Sequence, residues 1–70
     1  MRDDINDKCK IFLDKQVPVH ITRNDKSWAN GFIKEVGSTF ITLEEFKQGR
    51  LVIFFSEIYQ IETYTKEIKE

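Results

Sequence analysis

The sequence is poor in the residues that stabilise small domains covalently. It has one cysteine, Cys9, in 70 residues, which excludes an internal disulfide. A cysteine zinc cluster is also excluded, because such a site needs several thiolates at set spacings. A chain of 8.3 kDa buries only a small core, and domains of this size are often stabilised by disulfides, metals or association. We therefore expect the chain to associate with other copies.

The chain also lacks a charge excess and long apolar runs. It has 11 Lys+Arg against 12 Asp+Glu and a pI of about 5.8, which counts against tight, nonspecific DNA binding. The charge balance bears less on single-stranded nucleic-acid binding by base stacking or by a ring, because a ring multiplies the modest affinity of each copy. The absence of an apolar run of about 18 residues argues against a membrane partner. The first residues have no apolar signal segment, and a lone cysteine fits a reducing compartment, so we expect a cytoplasmic protein.

The first part of the chain has the pattern of a helix. Apolar residues recur at helical spacing, at Ile5, Cys9, Phe12 and Leu13, and would form one stripe. Two acidic residues at positions 3 and 4 favour a helix N-terminus. Pro18 should end the helix at or before position 17. The pattern predicts a helix over about residues 3–15.

After Pro18 the sequence alternates between apolar and polar residues. Short segments bounded by turn residues predict strands over 17–23, 28–36, 39–46, 51–55 and 58–64. Gly31 inside the second strand indicates a bulge, a sharp bend or a close main-chain approach, and a small sheet that curls back on itself needs such a bend. The order predicts a single, mainly β domain over residues 1–70. It would be an N-terminal α-helix followed by a five-stranded, strongly bent antiparallel small barrel, with a frayed charged tail at 65–70.

The fourth predicted strand is apolar on both faces. Leu51, Ile53 and Phe55 point to one side and can fill the barrel, whereas Val52 and Phe54 point to the other. An exposed apolar edge strand is an aggregation hazard unless it is paired. The fifth strand of another copy would pair with it, and such a contact between different patches can close into a ring. The alternative is a monomer in which the helix and loops cover both faces. The expected interface residues are Leu51, Val52, Ile53, Phe54, Ile58, Tyr59 and Ile61.

Over roughly residues 10–64 the chain resembles the Sm-like fold, and within it the bacterial Hfq type. The resemblance rests on VPVHI at 17–21, NDKSWANGFIKEV at 24–36, STFITLEEF at 38–46 and LVIFFSEIYQIE at 51–62, with Gly31 at the position of the family's strand-two glycine. It implies a homo-oligomeric ring of about six or seven copies. It also implies single-stranded RNA binding near the pore and on the ring faces, in the manner of an RNA chaperone or riboregulator. In the family, uridine stacks on a side chain in the turn between strands two and three and contacts the connector between strands four and five.

The chain departs from the family at the uridine pocket. The Tyr-Lys-His run of Hfq is replaced here by Phe54, Phe55 and Ser56, and the family's Asp after strand two is replaced by Gly37. Where other Sm proteins carry Arg-Gly or Lys-Gly, this chain has Ser56 followed by Glu57. A glutamate at a pore repels phosphate. The uridine-pocket chemistry of the family therefore does not transfer intact.

Candidate RNA contacts fall into two groups. Around the implied pore lie Ser38, Thr39, Phe40 and Ser56; on the outer or opposite faces lie Arg23, Lys26, Trp28 and Lys34. Phe40 is either a base-stacking residue, worth about 1–3 kcal/mol, or a core aromatic. The hydroxyl groups of Ser38 and Thr39 either contact RNA or only stabilise the turn. Trp28 is either a stacking platform beside cations or a packing residue against the helix.

Nothing in the sequence argues for an enzyme, a cofactor, a metal or a small-molecule substrate. No phosphate loop, nucleophile elbow or zinc-protease motif is present. We expect His20 to be exposed on the polar side of the first strand, and Glu44 and Glu45 to form a solvated edge. Two functions remain open: an RNA-binding ring, or an Sm/SH3-like barrel that serves as a scaffold or protein-interaction module. The acidic pI and Glu57 favour the second.

Overall fold

One helix and five strands follow each other along the chain, in the predicted order. The computed structural model describes residues 2–65, with side chains from residue 5 onward. The elements are α1 Arg2–Lys15, β1 Val19–Arg23, β2 Trp28–Val36, β3 Phe40–Glu45, β4 Gly49–Phe54 and β5 Ile58–Thr63, with a one-turn 3-10 helix at Phe55–Glu57. The predicted fold class is confirmed. Beyond residue 65, the predicted charged tail lies outside the described residues.

The helix packs its apolar stripe against the sheet, chiefly on β2. Cys9 is fully buried, and Ile5, Phe12 and Leu13 pack against the core. Burial raises the pKa of the Cys9 thiol to about 11, so it remains a protonated packing group at neutral pH. The helix closes at Gln16, whose N–H donates to the Phe12 carbonyl at 2.9 Å.

All strand pairs are antiparallel, and the sheet order is β4-β3-β2-β1-β5. Because only residues 55–57 join β4 to β5, the sheet must curl until its two ends lie close together. Within the described residues, β4 and β5 each pair with one strand only. The small barrel therefore has two strand edges that are open to another chain.

At Gly31 the main chain of β2 lies close to the main chain of β3. A Cβ at this position would overlap the carbonyl oxygen of Glu44 on β3. The β2–β3 register also shifts between Ile33 and Glu35, and such a bulge bends a strand and increases its twist. Of the three alternatives that the sequence leaves open at Gly31, the structure shows the close main-chain approach at Gly31 itself and a register shift between Ile33 and Glu35.

The core consists of the inward-pointing residues of every strand together with Cys9. Alternation along β3 and β4 places Ile41, Leu43 and Ile53 inside. Among the residues whose side chains are described, the buried apolar set is Cys9, Val19, Ile21, Ala29, Ile33, Ile41, Leu43, Ile53, Phe55, Ile58 and Ile61. These residues form one contiguous cluster, and the apolar residues of α1 pack against it.

His20 is buried, not exposed as its position on the polar side of β1 predicted. Only 6% of its surface is accessible. The β1–β2 register places it opposite Asn30, and its Nδ1 donates a hydrogen bond to Oδ1 of Asn30. The ring of Trp28 lies 6.1 Å from the His20 ring. The prediction was wrong because alternation gives only the direction of the side chain, and Asn30 and Trp28 contact the His20 ring on that face of β1.

Glu45 is also buried, and the prediction of a solvated acidic edge is wrong for this residue. Its carboxylate accepts the N–H groups of Lys47 and Gln48, both at 2.8 Å, and thereby closes the turn after β3. The Asn30 N–H donates to it at 3.3 Å. Burial alone would raise the pKa of Glu45, but these three N–H donors outweigh burial and hold the pKa below its ordinary value. Glu44, in contrast, is half-exposed and pairs with Arg50 at 3.5 Å.

Candidate nucleic-acid interface

The connector between β4 and β5 is a single 3-10 turn anchored by one aromatic ring. Phe55 is buried in the core, whereas Ser56 is exposed and Glu57 is half-buried. The Ile58 N–H donates to the Phe55 carbonyl and closes the turn. Phe55 thus fixes the connector, and the polar side chains of Ser56 and Glu57 are left at the surface.

Two other turns are hydrogen-bonded to this connector. The Phe55 N–H donates to the Thr39 carbonyl at 2.9 Å, which ties the β2–β3 turn to it. The Asn24 N–H donates to the Glu57 carbonyl at 2.9 Å, and the Asn24 amide donates to the Ser56 carbonyl at 2.7 Å. These bonds bring together predicted site residues from three separate segments: Arg23, Ser38, Thr39 and Ser56.

Phe40 lies on the outer face of β3 and is not part of the buried core. It is half-buried and packs edge-to-face on Phe54, with ring centroids 6.5 Å apart. A Cβ at Gly37 would lie 2.5 Å from the Phe40 ring, so a residue larger than glycine would displace that ring. The exposed Ser38 and Thr39 flank the same turn. The result is a partly accessible aromatic ring next to two hydroxyl groups.

The β1–β2 turn presents Lys26 and is closed by Asp25. The Asp25 carboxylate accepts the Ser27 N–H at 2.9 Å and the Ser27 hydroxyl at 2.6 Å, and these bonds hold the pKa of Asp25 below its ordinary value. Lys26 is exposed, with φ at 72°. Arg23 is half-buried, and its Nε is buried without a hydrogen-bond partner among the described residues.

Trp28 and Lys34 lie apart from each other on β2. Trp28 is 45% exposed and contacts His20. Lys34 is exposed beside the end of α1, where it lines a shallow pocket with Leu13, Gln16 and Phe32. Lys26 is two positions from Trp28 in the chain. Lys34 lies on the surface beside the end of α1, so the two predicted lysines are on different parts of the molecule.

The seven predicted interface residues divide into two sets. Val52 is 56% exposed, Phe54 47% and Tyr59 71%, and Leu51 is partly buried against the core. The side chains of the remaining three are enclosed within the chain's own core: Ile53, Ile58 and Ile61. An interface at β4 and β5 can use only main-chain groups of these three positions, because their side chains point inward.

The contribution of Asn24 is absent from the sequence prediction. The pattern assigns residues 24–27 to a turn, which is correct. The Asn24 side-chain amide also donates a hydrogen bond to the Ser56 carbonyl, 32 positions further along the chain. Asn at the start of a turn most often bonds to its own neighbouring main chain. No local pattern therefore distinguishes a residue with this long-range hydrogen bond from an ordinary turn residue.

Two further properties of the described chain bear on function. Among residues 2–65, no group of three or more His, Cys, Asp or Glu side chains is arranged to hold a metal ion. In the same range, α1 is too short and too polar to cross a membrane, and it is the chain's single α-helix there.

Comparison with known proteins identifies the fold. No protein-family model matches the chain, and no curated protein matches it by sequence. Among solved structures, four chains match; one is the 1.55 Å crystal structure of the pleiotropic translational regulator Hfq, with a TM-score of 0.72 and 21% identity. The match covers 81% of this chain and 95% of that chain. At this level of identity the likeness establishes the fold alone, and the chain has an Sm-like fold of the Hfq type.

Proposed function

We propose that the chain forms a homo-oligomeric ring of about six or seven copies that binds single-stranded RNA as an RNA chaperone or riboregulator. The observation that carries the proposal is the pair of open strand edges, with exposed Val52 and Phe54 on β4 and exposed Tyr59 on β5. Adding a neighbour's β5 to β4 would pair the open main-chain groups and cover the apolar side chains. Because β4 and β5 are different patches, each copy would offer one edge to each neighbour, as a closed ring requires.

Three observations support RNA as the ligand. The half-buried Phe40 ring lies beside the exposed Ser38 and Thr39, and an accessible aromatic face can stack any base. The connector carrying Ser56 is hydrogen-bonded to this turn through Phe55. Hfq, which shares the fold, is described as a translational regulator.

A ring also accounts for RNA binding by a chain with a net charge of -1. A single copy with this charge has little electrostatic attraction for phosphate. Several identical sites on one ring bind successive nucleotides of the same strand, so that modest affinities multiply.

The direct test is binding of labelled oligouridine and oligoadenosine to the purified oligomer at low salt, measured by fluorescence anisotropy. We expect Phe40→Ala to weaken binding by at least about 5-fold, because each lost stacking interaction contributes about 1–3 kcal/mol and the substitution is present in every copy of the ring. Phe46→Ala is the matched control, because Phe46 is 49% exposed and lies in the β3–β4 turn. An intact oligomer that binds neither oligonucleotide would contradict the proposal and favour the scaffold function.

A further inference from the structure

A small polar pocket lies between the β1–β2 turn and the connector. It is lined by Arg23, Asn24, Asp25, Ser56 and Glu57 and has a volume of about 220 Å³. The two Asn24 hydrogen bonds to the connector hold its walls together. Pockets for drug-sized ligands measure roughly 300–1,000 Å³, so this one suits a single flat ring system.

The pocket combines a cation with two carboxylates. Arg23 lines the pocket, and because its Nε is buried without a hydrogen-bond partner among the described residues, a ligand would be bound by the terminal N–H groups of the guanidinium. Glu57 is half-buried as a residue, and its carboxylate has neither a hydrogen bond nor an ion pair within residues 2–65. At Asp25, Oδ1 is occupied by Ser27. A matching ligand therefore offers acceptors to the guanidinium and N–H donors to a carboxylate.

We infer that this pocket binds the guanine base of single-stranded RNA, an inference that rests on the proposed function. Guanine carries two adjacent acceptors, O6 and N7, which arginine binds in bidentate fashion. It also carries two adjacent donors, N1–H and the N2 amino group, which match the two oxygens of a carboxylate. Adenine and cytosine each offer one amino group next to ring-nitrogen acceptors, and uracil offers a single N–H between two carbonyl groups. Guanine is thus the base that uses both Arg23 and Glu57 fully.

In this assignment Glu57 recognises the base, and does not only repel phosphate. A carboxylate near an RNA path repels phosphate whatever the base sequence, so removing it would strengthen binding to every RNA equally. A carboxylate that accepts N1–H and the N2 amino group strengthens binding to guanosine only. Phosphate repulsion changes the affinity for every RNA by the same factor, whereas base recognition changes the ratio of the affinities for guanosine and for other bases. The ratio therefore distinguishes the two roles.

The experiment uses three labelled oligouridines of equal length with one central guanosine, inosine or adenosine. We expect the full-length chain to bind the guanosine oligonucleotide at least about 5-fold more tightly than the adenosine one, the lower end of the effect of one bidentate pair. Inosine, which lacks the N2 amino group, should fall between them. Glu57→Gln should abolish the preference for guanosine, and Arg23→Lys should reduce it, because lysine cannot make the bidentate contact. The matched control is Asp14→Asn, which removes an exposed carboxylate on α1 and should leave the ratio unchanged.

Titration with guanosine and adenosine monophosphates distinguishes RNA from free nucleotide as the source of the base. Equal affinity for the three oligonucleotides, or a guanosine preference that survives Glu57→Gln, overturns the guanine site and leaves the proposed function standing. Binding of guanosine monophosphate without RNA binding supports the pocket and overturns the proposed function. Absence of binding to RNA and to both mononucleotides overturns both.

Discussion

Replacement of Phe54 by alanine tests the contact between copies while leaving the fold of a single copy intact. Phe54 is 47% exposed on the outer face of β4, and aromatic side chains present roughly 150–250 Å². About 95 Å² of apolar surface is therefore available for a neighbour to cover. At about 25 cal/mol per Å² this amounts to about 2 kcal/mol per interface, or roughly a 30-fold change in the association constant of each interface.

Sedimentation velocity over a range of protein concentrations measures this effect. We expect Phe54→Ala to dissociate at concentrations where the wild-type chain remains assembled, and to keep its circular dichroism spectrum, because its side chain is not in the core. Phe46→Ala is a matched control: Phe46 is 49% exposed and also packs edge-to-face on other rings, Phe32 and Tyr64. It lies in the β3–β4 turn, outside both open edges.

The interface reasoning is refuted if Phe54→Ala and Phe46→Ala assemble like the wild-type chain. It is also refuted if Phe46→Ala dissociates and Phe54→Ala does not. In either case the exposed apolar surface of β4 would not be what holds the copies together.

Changes at the bend, at two surface cations and in the β3–β4 turn have separate expected outcomes. Gly31→Ala should lower the free energy of unfolding by about 2 kcal/mol or more, because the new Cβ meets the main chain of Glu44; a thermal melt like that of the wild type would contradict this. Charge reversal of Lys26 and Lys34 should weaken RNA binding and reduce the salt slope by about 1 for each phosphate that is no longer neutralised; an unchanged slope means that neither lysine binds phosphate. The folded-state pKa of Glu45 is lowered, so its contribution to stability is complete above its ordinary value of 4.5 and disappears as pH falls through the folded pKa. Below pH 4.5 the unfolding free energy of the wild type should therefore fall more steeply than that of Glu45→Gln, and parallel profiles would exclude this role.

The elements and their order were predictable because their signals are local. The apolar stripe of α1 and the alternation along β1 each depend on neighbours a few positions apart. The glycine inside β2 was predictable as a bulge, a bend or a close main-chain approach, but the sequence did not say which of the three applies at Gly31. The predicted helix over 3–15 and the observed α1 at Arg2–Lys15 differ at the start by one residue.

The buried polar residues were not predictable, because alternation gives the direction of a side chain but not what covers it. His20 points away from the apolar face of β1, yet Asn30 and Trp28 cover it. Glu45 is enclosed by the turn that it closes. Burial on the second face of a strand depends on tertiary neighbours, which the strand itself does not encode.

The polar pocket was not predictable either, for a related reason. Its walls, Arg23–Asp25 and Ser56–Glu57, are far apart in the chain and meet because β1 pairs with β5. A residue-by-residue interpretation assigned Glu57 only a repulsive effect on phosphate. That Glu57 and Arg23 line one cavity becomes visible only when the sheet has curled.

The mass of the native species at micromolar concentration tests the ring most directly. Native mass spectrometry of the unmodified chain should give about six or seven copies of the 8.3 kDa chain, near 50 or 58 kDa, without smaller assemblies in quantity. A single copy of 8.3 kDa at that concentration would contradict the pairing of β4 with a neighbour's β5.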